Sequence, residues 1–263
     1  MKVEMDEGLA FGLGVFETIR IEQGKAILLK EHISRMRHGI RRLGIEREEV
    51  NRWLTPEKIY DWMKERSMDQ GAIKIIVTGE NILFSERENP YKPADYEKGF
   101  HLAFSQVRRN ETSPLTYLKT LNYGDNILEK RKAKREGADE PLFLNTRGEI
   151  TEGAVTNIFF VKDGRLYTPS VSCGLLPGTV RAFIIRNFSV CETVIRPEET
   201  ENFQEAFVTN SLLGIMPVAS LGEKNLRNVF FYQKQRKCTE ICCFRKSSDT
   251  PCAFVTMCYN CGG

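Results

Sequence analysis

Apolar residues recur along the chain with two periods, one near two residues and one of three to four, in an order that predicts mixed strands and helices. Residues 15–21, VFETIRI, alternate and are rich in β-branched side chains. Glu22-Gln23-Gly24-Lys25 then turns into Ala26-Ile27-Leu28-Leu29, which is a hairpin signal. From Lys30 to Leu43 the period lengthens, with Ile33, Met36, Ile40 and Leu43 on one face of a basic amphipathic helix. Thr55 as N-cap and Pro56 at the first helical position open a second helix that runs to Met68. Strands are predicted at 72–78, 82–87 and 99–106. This mixture predicts a small α+β domain over residues 1–107.

The polar, proline-containing stretch Arg108-Arg109-Asn110-Glu111-Thr112-Ser113-Pro114 places an interdomain linker at 108–118. A larger domain, 119–227, follows. It opens with a helix over Leu121 to Arg135, ended by Gly137. Short strands come next at Pro141–Leu144, Ile150–Thr151, Asn157–Val161 and, after an Asp163-Gly164 turn, Arg165–Thr168. A helix from near Gly178 to about Asn187 is followed by strands near 192–196, 205–209 and Ile215–Ala219.

The composition, 41% hydrophobic and 28% charged, is that of an ordinary globular chain with a sizeable core. The net charge of +3 says little about partners. The basic run Glu129 to Glu136 interleaves acids, so a solvated helix face is expected there rather than a nucleic-acid surface. No apolar run approaches the roughly 18 residues of a membrane span. Met1 to Glu7 carries acids where a secretory signal has its apolar stretch, so a cytoplasmic location without membrane partners is expected. Three histidines, His32, His38 and His101, leave a His-rich metal site poorly supplied, and no metal centre is expected.

Four segments join a special backbone to a polar or ionisable residue. Lys119, in Leu118-Lys119-Thr120-Leu121-Asn122-Tyr123, precedes a predicted helix, and a lysine amine is a nucleophile toward aldehydes once its environment lowers its pKa. Glu152 lies in Ile150-Thr151-Glu152-Gly153-Ala154-Val155-Thr156-Asn157-Ile158, between two strands and beside small residues that allow close backbone approach. Leu175-Leu176-Pro177-Gly178-Thr179-Val180-Arg181 opens a helix whose free N–H groups suit an anion. Val208-Thr209-Asn210-Ser211-Leu212-Leu213-Gly214 sets hydroxyls and an amide at a strand end. Taken singly, each has an ordinary reading as an exposed lysine, a turn acid, a capped helix start or a polar loop.

Together, in this order and spacing, the four segments resemble the class IV pyridoxal-phosphate enzymes, the fold-type IV family. The resemblance runs from about Gly8 to Ser220 and is densest over GADEPLFLNTRGEITEGAVTNIFFVKDGRLYTPS. FGLGVFETIR and EHISRMR match as well. It implies a two-domain α+β fold with pyridoxal 5'-phosphate as cofactor. Lys119 would hold the cofactor covalently and then shuttle protons as the free amine, and Glu152 would pair with the pyridinium nitrogen so that the ring acts as an electron sink. Arg35 matches the arginine that reaches the phosphate; Gly178, Thr179, Val180, Asn210 and Ser211 would complete the phosphate cup. Tyr123, Thr156 and Asn157 would lie near the ring or its phenolic oxygen.

Within that family the segments Asn110 to Leu115, Lys119 to Asn122 and Asn210 to Val218 resemble the 4-amino-4-deoxychorismate lyases. The Phe-Glu-Gly-Ile-Arg pattern of branched-chain aminotransferases is absent, Phe11 stands where many aminotransferases have tyrosine, and residues 75–90 lack their glycine-rich loop. The implied reaction gives 4-aminobenzoate and pyruvate. The alternative is an aminotransferase acting on D- or branched-chain amino acids with a 2-oxo acid. Either implies a small-molecule substrate, and the family implies a homodimer.

The resemblance stops shortly after Leu221, and six of the eight cysteines crowd residues 228–263. Cys258 and Cys261 have the spacing of half a zinc site, but Cys238, Cys242 and Cys243 are irregular and no histidine lies nearby. Disulfides do not suit a cytoplasmic protein. The tail is expected to be an added or frame-shifted terminus, dispensable for cofactor binding and chemistry.

Overall fold

A computed structural model of the protein describes residues 3–226, so the cysteine-rich tail expected at 228–263 lies outside the described residues. The chain divides into two compact units, Met1–Pro90 with Leu118–Tyr123, and Tyr91–Tyr117 with the chain from Gly124 onward. This differs from the sequence-based boundary at 108–118, and the reason is strand pairing. The strand Phe100–Arg109, assigned above to the first domain, hydrogen-bonds to strands of the second unit. Conversely, the segment at Lys119 pairs back into the first.

In the first unit the order is α1 (Glu7–Phe11), β1 (Val15–Glu22), β2 (Lys25–Ala26), α2 (Leu29–Leu43), α3 (Glu48–Trp53), α4 (Pro56–Glu65), β3 (Gln70–Val77) and β4 (Ile82–Arg87). The strands form one antiparallel sheet in the order β2-β1-β3-β4. Val15, Ile19 and Ile21 of β1 and Ile73, Ile75 and Val77 of β3 share a core with Ile33, Met36 and Ile40 of α2 and Ile59 and Met63 of α4. The predicted hairpin and α2 are present, but α4 stops three residues short of Met68, where Ser67 adopts a left-handed φ of 51°. The short helices α1 and α3 carry no apolar stripe for periodicity to reveal; each buries a single residue, Gly8 and Val50. Lys119 O accepts from Phe16 N–H and Leu121 N–H donates to Gly14 O, both at 2.9 Å. These strand-like bonds to β1 keep residues 121–123 out of the helix predicted to begin there.

The second unit comprises α5 (Pro93–Lys98), β5 (Phe100–Arg109), α6 (Gly124–Arg135), β6 (Glu140–Asn145), β7 (Ile150–Gly153), β8 (Asn157–Lys162), β9 (Arg165–Pro169), α7 (Thr179–Asn187), β10 (Val190–Thr193), β11 (Glu205–Asn210), β12 (Gly214–Leu221) and β13 (Lys224–Asn225). Its mixed sheet runs β10-β9-β8-β11-β12-β5-β6-β7, with β13 added on β12. Leu142, Ile150, Ile158, Phe160, Val208 and Met216 form its core. The strand predicted at 192–196 lies at Val190–Thr193 instead. Buried Ile195, which carries much of the apolar signal, leaves the ladder, and its carbonyl accepts from Ile150 N–H at 2.8 Å. The basic run on α6 is largely solvated as expected, but Lys130 turns inward to fully buried Glu140 at 2.7 Å. Among the described residues no helix is long and apolar enough to cross a membrane.

One acid ties the start of the first unit to its sheet. Asp6 accepts hydrogen bonds from the backbone N–H of Leu9 and Glu80, from Asn81 Nδ2 and from the Thr78 hydroxyl. Burial pushes its pKa upward, but these donors outweigh burial and hold it at about 2. A carboxyl depressed in the folded state stabilises above its unfolded value, near 4, and loses that contribution as the pH falls toward 2. Asp6→Asn is therefore expected to lower the thermal midpoint at neutral pH and to flatten its decline between about pH 4 and pH 2. Calorimetry across that range checks this, and parallel declines for the two proteins would refute it.

Candidate active site

The predicted acid, Glu152, ends β7 nearly buried, with the ordered turn Gly153 to Thr156 after it. Fully buried Glu140 braces that turn: its Oε1 accepts from Val155 N–H at 2.7 Å and Thr156 Oγ1 at 3.1 Å. A Cβ on Gly153 would lie 2.3 Å from Thr156 Oγ1, so glycine is required there for a packing reason. Thr156, expected near the ring, thus spends its hydroxyl on the turn. Asn157 Nδ2 donates to Glu152 Oε2 at 3.2 Å and to Leu176 O at 2.9 Å, while Leu176 N–H donates to the same carboxylate oxygen at 3.2 Å. The acid segment and the loop leading to Gly178 are thereby joined.

That loop delivers Gly178, the N-cap of α7, with Thr179 and Val180 in its first turn, both buried. A Cβ on Gly178 would sit 2.0 Å from Asn157 Oδ1, so the close approach of helix and strand demands glycine. Asn157 faces Thr209 across the β8–β11 ladder, and α7 packs on β11. Asn210 ends β11, and its Oδ1 accepts from the N–H groups of Leu212 and Leu213 at 2.8 and 2.9 Å, setting the turn that carries Ser211. Glu152, Asn157, Gly178, Thr179, Val180, Asn210 and Ser211 are therefore gathered on neighbouring elements of one unit.

Arg35, Lys119 and Tyr123 belong to the other unit. Arg35 on α2 makes a two-pronged ion pair with Glu17 of β1, Nε to Oε1 and Nη2 to Oε2, each 2.7 Å. His32 Nδ1 lies 2.7 Å from Glu17 Oε2, and both side chains are almost wholly buried. Burial would raise the Glu17 pKa, but the charge of Arg35 and the donors around it carry it well below the usual carboxylate range. Burial lowers the His32 pKa despite Glu17, so a neutral imidazole donates from Nδ1 and Arg35 supplies the balancing charge.

The opposite face of β1 presents Phe16. The Lys119 ammonium lies 4.4 Å from the Phe16 ring centre and 5.3 Å from that of Tyr123, and the two rings meet edge to face. Lys74, from β3, reaches the same Phe16 ring at 4.9 Å. Burial lowers its pKa, and the nearby charge of Arg87 adds to the shift. The stretch before Lys119, read above as a linker, is pinned: Glu111 accepts from Thr146 Oγ1 at 2.6 Å and Arg147 Nη1 at 2.9 Å, and Tyr117 donates to Glu111 O at 2.6 Å.

Sequence reading did not single out Glu17, Lys74, Arg109, Asn126 or Glu140 as site residues. Glu17 had a usable signal, since it shares the odd positions of β1 with Val15, Ile19 and Ile21, whereas Glu140, just outside the predicted strand at Pro141–Leu144, had none. Arg109 and Asn126 had none, because strand pairing and helix packing alone bring them to Glu152. Arg109 Nη1 donates to Asn126 Oδ1 at 3.1 Å, and Asn126 Nδ2 donates to Ala154 O at 2.5 Å.

The family model for amino-transferase class IV matches residues 14–221. The chain is 28% identical over 242 residues to the aminodeoxychorismate lyase of Bacillus subtilis, spanning 84% of this chain and 81% of that protein. It is 30% identical over 245 residues to a putative branched-chain-amino-acid aminotransferase of Methanocaldococcus jannaschii, spanning 85% and 83%. The crystal structure of a putative 4-amino-4-deoxychorismate lyase from Legionella pneumophila superposes with a TM-score of 0.78 at 28% identity, covering 90% of this chain and 95% of that one. The α+β architecture is that of the fold-type IV enzymes, as the sequence implied. With most of its length matched by the family model, the chain belongs to the class IV aminotransferases, enzymes that depend on pyridoxal 5'-phosphate.

Proposed function

We propose that the protein is a 4-amino-4-deoxychorismate lyase, working as a homodimer, that yields 4-aminobenzoate and pyruvate. The donor set suits the cofactor. Thr209 Oγ1 is buried without a hydrogen-bond partner, on the strand that packs against α7. That hydroxyl, the N–H groups of Thr179 and Val180, the hydroxyls of Thr179 and Ser211 and the turn set by Asn210 make a receptor for a phosphate dianion. Arg35, fixed in orientation by Glu17, would by the family resemblance add the guanidinium. Glu152 provides a carboxylate for a cationic ring nitrogen, oriented by Asn157.

Bound pyridoxal phosphate supplies an electron sink for a carbanion. Lys119 would hold it through Nζ, and its free amine would take the proton from the amine-bearing carbon of the substrate. Loss of that proton lets the substrate ring become aromatic as its enolpyruvyl oxygen departs, and the proton returns to the methylene carbon of the leaving group to give pyruvate. Phe16 and Tyr123 wall the amine with aromatic surface. Reactant and products balance without a second substrate.

The observation that carries the lyase reading is the pair of lysines over one ring. Lys74 places a half-buried cation beside the same Phe16 that borders Lys119. Aminodeoxychorismate bears two carboxylates beyond its amine and has a use for that cation, whereas a branched-chain side chain does not. The lyase-like segments also coincide with the pinned loop before Lys119 and the β11–β12 hairpin. The aminotransferase alternative draws support from the Methanocaldococcus relative.

Three outcomes follow from this reading. The purified protein should be yellow, and borohydride should fix the cofactor on Lys119; a label mapped to another lysine refutes the assignment. Aminodeoxychorismate alone should release pyruvate and 4-aminobenzoate in equal amounts. Amino transfer that requires a 2-oxo acid, with no pyruvate from aminodeoxychorismate, moves the assignment to the aminotransferase. Lys74→Met should raise KM for aminodeoxychorismate about tenfold or more, the worth of one charge-assisted contact, with kcat little changed. An unchanged KM would remove Lys74 from substrate recognition.

A further inference from the structure

Glu152 is held between two kinds of group. On Oε2 it accepts from Asn157 Nδ2 and Leu176 N–H. On Oε1 it faces Arg109, whose Nη2 lies 3.6 Å away, an ion pair longer than a hydrogen bond. The arginine side chain is only 14% exposed, and two contacts fix it. Its guanidinium centre sits 4.1 Å from the Phe143 ring centre, Nη1 donates to Asn126 Oδ1, and Asn126 in turn grips the turn after Glu152 through Ala154 O. Glu140, which braces the same turn, is paired with Lys130. Arg109, from β5, is therefore a fixed cation facing Glu152.

Resting on the reading of Glu152 as the partner of the ring nitrogen, we propose that Arg109 is a positioning residue for that carboxylate. It holds Glu152 ionised, so that the shared proton resides on the ring nitrogen rather than on the glutamate. The proton between a pyridine nitrogen and a carboxylate has two places to sit. A fixed guanidinium within 4 Å makes a carboxylic acid the poorer choice, and burial out of bulk water strengthens the effect. The 3.6 Å separation also matters: at that distance the arginine contributes charge rather than a hydrogen bond.

The test uses the full-length holoenzyme loaded with cofactor labelled with 15N at the ring nitrogen, read by NMR at neutral pH, with cofactor affinity measured in parallel. Arg109→Gln keeps a donor for Asn126 and removes the charge. Its ring-nitrogen resonance is expected to move toward the unprotonated position, a change of about tenfold or more in proton preference. Arg109→Lys, which restores a cation, should return the resonance toward that of the wild type, a rescue that a purely structural role does not predict. Should Arg109→Gln fail to fold, Arg109→Met takes its place and is expected to displace the resonance in the same direction. A wild-type resonance in a folded neutral variant at Arg109, or a lysine variant displaced as far as the neutral one, would overturn the proposal. Glu152→Gln separates the two levels. If it shifts the resonance while Arg109→Gln does not, the role of Arg109 fails alone; if it shifts nothing, the reading of Glu152 fails with it.

Discussion

An ionised carboxylate withdrawn from water has to be met by donors on every side, and much of this protein is arranged to meet that need at three glutamates. Removing one partner from such a buried pair costs about 3–5 kcal/mol, so each set of donors is held as a unit. Glu140 is the most enclosed: Lys130 from α6, Val155 N–H and Thr156 Oγ1 all reach it. The turn those bonds fix is the one that aims Glu152. The orientation of Glu152 therefore depends on a second acid, and through Lys130 on the docking of a helix whose surface is otherwise solvated.

The first unit turns the same constraint to the opposite purpose. Glu17 points to the core side of β1, between Val15 and Ile19, where a lone carboxylate would be untenable. It is stable there because Arg35 and His32 both project from α2 toward it. In the second unit donors orient an acid; here an acid orients a cation. Because His32 is neutral, the pair carries no surplus charge of its own, and the arginine keeps its plane fixed by two parallel bonds.

How much of this the sequence discloses follows from the range of the forces involved. The β1–β2 hairpin, α2, β3 and β4 are legible because their burial follows a local period. Glu152, Gly178–Val180 and Asn210–Ser211 are legible as site candidates because glycine and hydroxyl residues at element ends mark backbone that is special for local reasons. The partition of the chain is not legible, since it depends on β5 pairing with β6 and β12, and on residues 119–121 pairing back with β1. Nor are Arg109 and Asn126: on β5 and α6 each looks like an ordinary solvated residue until the sheet and helix are assembled. Glu17 falls between these cases, visible as an acid on the apolar face of β1 but with no clue to its partners.

The pleat of β1 sets what the first unit offers on each side. Its odd positions carry the core and Glu17, which fixes Arg35; its even positions carry Phe16, over which Lys119 and Lys74 lie. A slip of one residue in its pairing with β3 would exchange the two faces, taking Glu17 off the arginine and burying the aromatic platform in the core. Eight consecutive pairs, from Val15↔Val77 to Glu22↔Gln70, hold that register. On the proposed reading, phosphate anchoring and substrate recognition are therefore not independent features of this unit. Both follow from one ladder, and substitutions confined to the even positions of β1 and β3 alter what the enzyme accepts while the odd positions keep Arg35 in place.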